Sequence, residues 1–350
     1  MRIPQINGRS DLSLNRLIRS HSWLSALVLV LATCFVASSS QAQEGRRLRA
    51  GYTALSGNML PLWAARDGGY FKKYGLDFDL ISMPSGNEGM SALIAGELEY
   101  LAIAGSTTAS AAVGGADVVA LGTTVERLVA FLVAAPSIQK PEDLKGKSVG
   151  ISRFGTSIDT GARMAIQHYD LEPIKDVSIV QIGAVSSILS AMRGGRIQAA
   201  ILTYPSIIQA RREGYRELLD IASLGMPYAS TGITVRRSYL QQCRDLVTNY
   251  VKAIVESIAR VKKDKPFSVE VMSKYLRTTD KEILEGTYDI SVTKYLKRVP
   301  WPTLEAFRSV VDELAQINPK AKGQDPKRFY DDGILKELDK SGFINAVGGS

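Results

Sequence analysis

Hydrophobic and polar positions along this chain change period repeatedly, and the changes come in a fixed order. Leu48, Ala50, Tyr52 and Ala54 alternate with polar or small residues, the two-residue period of a short strand. Ser56-Gly57-Asn58 breaks the alternation, and Pro61 opens a helix at a position where its missing N–H costs nothing. Gly75 should end that helix. As the left-handed residue beyond the cap it would fold Leu76 back onto Phe71, a Schellman ending. A strand over 77–83 follows at once.

The same unit of strand, small-residue turn and helix recurs. Strands are predicted over 100–104, 118–121 and 129–133, the first leading through Gly105-Ser106-Thr107-Thr108 into an Ala-rich helix. A Pro- and charge-bearing connector over 134–145 interrupts the pattern, and a second set begins. It has strands over 148–152, 177–182 and 197–201. Its helices carry Ile158, Ala162, Ala165, Ile166 and Tyr169 on one face, then Val185, Ile188, Leu189 and Met192. Residues 226–236 read as a return to the first set. A long helix follows with Val247, Tyr250, Val251, Ile254, Ile258 and Val261 on one side. The remainder is helical, with Phe307, Val310, Val311 and Leu314 on one apolar face and an Asp325-Pro326 cap.

Alternating units of this kind predict an α/β fold with largely parallel sheets covered by helices on both faces. Two lobes follow from the order: 43–136 with 228–350 form a discontinuous first lobe, and 137–227 form a second inserted into it. The two crossings between them would act as a hinge.

Residues 1–42 read as a secretory signal rather than structure: Arg2, Arg9, Arg16 and Arg19, then an apolar run over 23–37, then Ser40-Gln41-Ala42 as a small-x-small cleavage site. The competing reading is lipoprotein processing at Cys34. Cleavage after Ala42 would leave 308 of the 350 residues, enough for two lobes. Loss of four Arg and one Asp would lower the net charge from +8 to +5. Interleaved acids and bases at that level argue against a nucleic-acid partner. Of two cysteines and two histidines, only Cys243 and His168 would remain, so no internal disulfide forms. Neither has a partner at catalytic or metal spacing, and no cofactor is expected.

Ligands in open α/β sheets gather at the carboxyl ends of strands, where turns lead into helix N-termini. Here those turns are rich in hydroxyl and amide residues. The first lobe offers Ser56 and Asn58; Ser85, Gly86 and Asn87; and Ser106 and Thr107. The second offers Gly155, Thr156 and Ser157, Ser186 and Ser187, and Thr203 and Tyr204. Ser, Thr and Asn are equally the residues that cap helices, so each turn alone is ambiguous. Arg153, directly after a strand, could grip an anion with two parallel bonds; a surface arginine is the other reading. Tyr228 could stack on a ligand, Glu126-Arg127 could pair across the hinge, and Asp159 fits a structural role in the first turn of its helix.

The order P-L-W-x-A…D-G-G-Y-F-x-K-Y-G-L beginning at Pro61 resembles the opening of extracytoplasmic solute-binding proteins of the nitrate/sulfonate/taurine type. These are related to the thiamine-pyrimidine-precursor synthases. K-P-E-D-L-K-G-K-S-V-G-I from Lys140 and G-G-R-I-Q-A-A-I-L from Gly194 are similar to two further family stretches, with Gln198 where an aspartate is common. The resemblance implies a type II periplasmic-binding-protein fold and a monomeric periplasmic protein. It would bind a small polar or anionic molecule between its lobes and deliver it to an ABC permease. An enzyme related to the synthases is the alternative from another class, and a ligand-sensing module is a third.

Overall fold

The computed structural model describes residues 47–184 and 187–348; the expected signal segment with Cys34, the expected cleavage after Ala42, and Val185 and Ser186 lie outside them. The strands are β1 (Leu48–Tyr52), β2 (Phe78–Ser82), β3 (Tyr100–Ile103), β4 (Val118–Val125), β5 (Phe131–Ala134), β6 (Ser148–Ile151), β7 (Ser178–Gln181), β8 (Ala199–Leu202), β9 (Arg216–Asp220) and β10 (Thr231–Arg236). The helices are α1 (Leu60–Asp67), α2 (Tyr70–Lys73), α3 (Gly86–Ala95), α4 (Gly105–Val113), α5 (Ser157–His168), α6 (Ile188–Arg193) and α7 (Ser206–Arg212). After β10 come α8 (Arg237–Gln242), α9 (Arg244–Lys263), α10 (Lys265–Leu276), α11 (Lys281–Tyr288), α12 (Leu304–Ile317), α13 (Gly333–Lys340) and α14 (Phe343–Gly348).

The strands form two five-stranded sheets, ordered β2-β1-β3-β10-β4 and β7-β6-β8-β5-β9. Each is mixed rather than largely parallel. β10 runs antiparallel to β3 and β4, and β5 antiparallel to β8 and β9. The reason is the connectivity: β5 and β10 are the strands by which the chain enters one sheet from the other, so each arrives from the opposite end. Residues 131–134, assigned to the first lobe on sequence, hydrogen-bond within the second sheet. The Pro-bearing stretch that suggested a boundary is a surface turn inside that half, closed where Ala135 N–H donates to the Gln198 carbonyl at 2.8 Å. β9 was not anticipated. Arg216-Glu217 at its start are exposed, so the strand lacks the alternation that would reveal it.

The helix read from Pro61 to Gly75 is two helices, parted at Gly68-Gly69, where Gly69 takes φ +74°. Its ending is as predicted. Gly75 has φ +71°, Gly75 N–H donates to Lys72 O at 3.0 Å, and Leu76 N–H reaches back to Phe71 O at 2.9 Å. Leu76 and Phe71 are both buried, completing the hydrophobic half of the motif.

The long helix α9 buries the whole predicted face, Val247 to Val261, against the outer side of the first sheet. There Trp63 stacks on Tyr275 at 4.8 Å, the core role its size favours. Thr303 caps α12 by accepting from Ala306 N–H, and Phe307, Val310, Val311 and Leu314 pack inward beside α4.

The crossings run side by side. Tyr228 N–H donates to Glu126 O at 3.3 Å, Ser230 N–H to Val125 O at 3.1 Å, and Ile221 N–H to Ala130 O at 2.9 Å. Among the described residues, no helix is long and apolar enough to cross a membrane.

Candidate functional site

The cleft between the sheets lies where the carboxyl ends of β1, β3, β6 and β8 face one another. It encloses about 630 Å³, part of it open to solvent. From the first sheet come Thr53 and Ala54 after β1, Ser56, Asn58 and Met59 in the next turn, Gly86 at the start of α3, and Ile103, Ala104 and Thr107 at the β3–α4 junction. The second sheet supplies Ser152, Thr156, Ser157 and Ile158 at the β6–α5 junction, and Thr203 after β8. The crossings form the floor with Leu128, Val129 and Ala130 on one and Ser230 and Thr231 on the other.

Two features decide what this cleft can do. Among the described residues, no ionisable side chain lines it. Its polar side chains are mostly not spent on the protein: Thr53, Ser56, Asn58, Thr107, Ser157, Thr203, Ser230 and Thr231 make no side-chain hydrogen bond to any described residue. Ser56, Thr107, Ser230 and Thr231 are nevertheless buried. None of their oxygens is among the buried side-chain atoms left without a partner, so these hydroxyls open onto the cleft, where each can donate to or accept from a molecule held there.

The capping explanation can be tested turn by turn. Ser85 behaves as a cap: its Oγ accepts from Glu88 N–H at 3.3 Å and donates to Glu88 Oε1 at 3.2 Å, and it does not line the cleft. Ser56 precedes the 3-10 turn Gly57–Met59 but makes no capping bond. Thr156 precedes α5 without capping it; its hydroxyl donates to Arg153 O at 2.8 Å and lies 3.2 Å from Ser152 Oγ. Three helix starts, those of α3, α4 and α5, open at the cleft. The first N–H groups of a helix have no partner within it and carry partial positive charge.

The remaining candidates lie elsewhere. Arg153 pairs with Glu88 at 3.6 Å, both residues substantially exposed, and Asn87 Nδ2 donates to Phe154 O at 3.1 Å. These two contacts bridge the halves at the rim, so Arg153 faces a carboxylate rather than the cleft. Tyr228 is fully buried, its hydroxyl donating to Thr160 Oγ1 at 3.1 Å, which excludes stacking on a cleft ligand. Tyr204 packs edge-on against Phe131 at 5.5 Å, and its hydroxyl accepts from Arg211 at 3.4 Å. Ser106 and Gly155 line a separate, smaller cavity.

Asp159 is structural, as read: it accepts from Gly155 N–H at 2.9 Å and Arg163 Nε at 3.0 Å. Glu126 pairs with Lys297 rather than with Arg127. Gln198 accepts from Ser148 Oγ at 3.0 Å, holding the start of β6.

The cleft also contains residues that the turn pattern missed. Thr53 sits inside what read as strand alternation, and Ser152 at a predicted strand end. Ser230 and Thr231 lie in the return crossing, whose A-S-T-G run was the available signal.

No group of three or more His, Cys, Asp or Glu among the described residues could hold a metal ion. His168 packs edge-on against Tyr169 at 5.0 Å.

A family model described as NMT1/THI5 like matches residues 56–265. The chain belongs to that family. YtlA of Bacillus subtilis (strain 168), named as a binding protein, is 23% identical over 289 residues, covering 79% of this chain and 84% of YtlA. Among solved structures, the periplasmic nitrate-binding protein NrtA of Synechocystis PCC 6803 superposes with a TM-score of 0.71 at 13% identity, covering 87% of this chain and 90% of NrtA. The periplasmic aliphatic sulphonate-binding protein SsuA of Escherichia coli gives 0.67 at 18% identity, over 82% of this chain and 92% of SsuA. This NMT1/THI5-like chain therefore has the type II periplasmic-binding-protein fold, with its hydroxyl-lined cleft between the two sheets.

Proposed function

We propose that this protein is the extracytoplasmic solute-binding component of an ABC importer, with the cleft between the sheets as its ligand site. One observation carries the reading: unbonded hydroxyls from both sheets converge with three helix starts on a space that contains no charged side chain. A cation would find no counter-charge there, whereas an anion or a neutral polar molecule would meet N–H and O–H donors. The fitting class is a small neutral polar molecule or a monoanion, such as a sulfonate, carboxylate or nitrate, held by N–H and O–H donors. The names of the relatives agree with that class. No acid or base lines the cleft to move a proton, which favours binding over catalysis.

In this reading the lobe boundaries fall between Val125 and Phe131 and between Leu224 and Thr231. The lobes rock about those crossings, and a ligand touching both stabilises the closed form, which a permease recognises. In this reading residues 1–42 are a cleaved secretory signal, and the mature protein works in the periplasm. Micromolar affinity needs about −8 kcal/mol, within reach of several bonds to donors not spent on the protein together with release of water from the cleft.

The test is a thermal-shift panel of sulfonates, carboxylates, nitrate, pyrimidines, amino acids and polyamines, followed by titration calorimetry. A neutral or monoanionic hit at a hundredfold over its dissociation constant should add about 2.7 kcal/mol of stability. Hits confined to cations, or none at all, would overturn the reading.

A further inference from the structure

We propose that Glu313 is a proton-controlled latch. Its neutral carboxyl keeps α12 against α5 across the cavity between them, and its ionised carboxylate lets them part. α12 packs with the first sheet through its apolar face, whereas α5 flanks the second. Opening of the halves must therefore separate these two helices.

The cavity between them, about 290 Å³ with part of it open to solvent, is lined by Glu313 from α12, Thr160 and Arg163 from α5, and Ser106 from α4. The same two helices also meet at the surface, where Gln167 Nε2 donates to Gln316 Oε1 at 3.3 Å. The charges in the cavity do not balance. Arg163 is already committed to Asp159 at 3.0 Å, and Asp159 is 1% exposed. Glu313 is the surplus carboxyl, with no hydrogen bond to any described residue.

The groups facing Glu313 are few. α5 contributes Arg163, which favours its ionised form, and Asp159, which opposes it. α4 contributes the neutral Ser106, whose Oγ is buried without a partner. The second crossing contributes Tyr228, held neutral because burial raises its pKa. Burial is the largest influence and pushes the Glu313 carboxyl up to about 7.

The direction of the effect follows. With the helices apart, water would restore an ordinary value of about 4.3. The packed arrangement therefore holds a proton that the parted one releases. Between pH ~4.3 and ~7, each unit of rising pH should shift the balance up to about tenfold toward parting, with plateaus on either side. In the reading of the cleft as a ligand site, acid would favour retention and neutral pH release. The latch itself does not depend on that reading.

The experiment measures the distance between spin labels introduced by Lys175→Cys and Lys336→Cys in a Cys243→Ser background, with no ligand present. A shorter, narrower distribution at pH 5 than at pH 8 is expected, and Glu313→Gln should hold the short distance at both. An unchanged distance in the Glu313 parent overturns the latch without needing the variant. A pH response that persists in Glu313→Gln overturns it equally. Failure of the ligand panel while the distance still responds would reject the cleft reading and leave the latch standing.

Discussion

Gly86 stands against Thr156 across the cleft: a β-carbon on the glycine would lie 3.5 Å from Thr156 Cγ2, and 3.3 Å from Thr107 Oγ1 on its own side. One belongs to the first half, the other to the second, and both line the candidate site. Gly86 begins α3 and is not held at positive φ, so a side chain there meets crowding rather than backbone strain. Gly86→Leu should therefore fill the cleft while leaving unliganded stability within about 1 kcal/mol, because helix propensity favours the change. Calorimetry should show at least a tenfold loss of affinity for any hit, with Gly86→Ala intermediate. Full affinity in the leucine variant would move the ligand elsewhere.

Ser56 and Ser85 make a matched pair for separating binding from capping. Ser85 caps α3, so Ser85→Ala should cost about 1 kcal/mol in urea unfolding and leave affinity nearly unchanged. Ser56 makes no capping bond and lines the cleft, so Ser56→Ala should barely change stability. Its effect should be a loss of about 1 kcal/mol in binding, a several-fold weaker dissociation constant. The opposite pattern would make Ser56 a structural residue.

These two serines also show where the sequence was legible and where it was not. Periodicity marked eight of the strands and the long α9 and α12 faces, because burial on one side imposes a repeat that composition can reveal. The Phe71–Leu76 ending was readable because only a few residues make that turn. The edge strand β9 was not, since its start is solvated and carries no alternation. Strand-end turns pointed to the cleft between the sheets, yet Ser56 and Ser85 look alike in sequence. Which hydroxyl caps and which faces the cleft depends on the angle at which each turn enters its helix. Thr231 and Ser230 came from the other crossing, brought in by tertiary packing alone.

Arg153 looks in sequence like an anion grip, and in the fold it faces Glu88 at the rim. An exposed pair of this length is worth about 0–1 kcal/mol. Arg153→Ala should therefore change affinity for a monoanion by less than tenfold and reduce its salt dependence only slightly. A loss of a hundredfold or more, measured by calorimetry at two ionic strengths, would show that Arg153 leaves Glu88 to contact the ligand.

Glu126 ties the first crossing to the C-terminal part of the chain. Its carboxylate meets Lys297 Nζ at 2.5 Å and the Thr303 hydroxyl, while its carbonyl accepts from Tyr228 N–H in the second crossing. Lys297 in turn donates to Trp301 O at 2.7 Å. Both charged side chains are about four-fifths buried, so each depends on the other for solvation. Lys297→Met would leave Glu126 facing Thr303 alone, and a stranded, mostly buried carboxylate should cost roughly 2 kcal/mol. Glu126→Gln should cost less, because the amide oxygen still accepts from Thr303. In a double-mutant cycle by urea unfolding, the two changes should therefore be non-additive by about 1 kcal/mol or more. Simple additivity would mean that the pair is a surface contact and that the crossing is held by its backbone bonds alone.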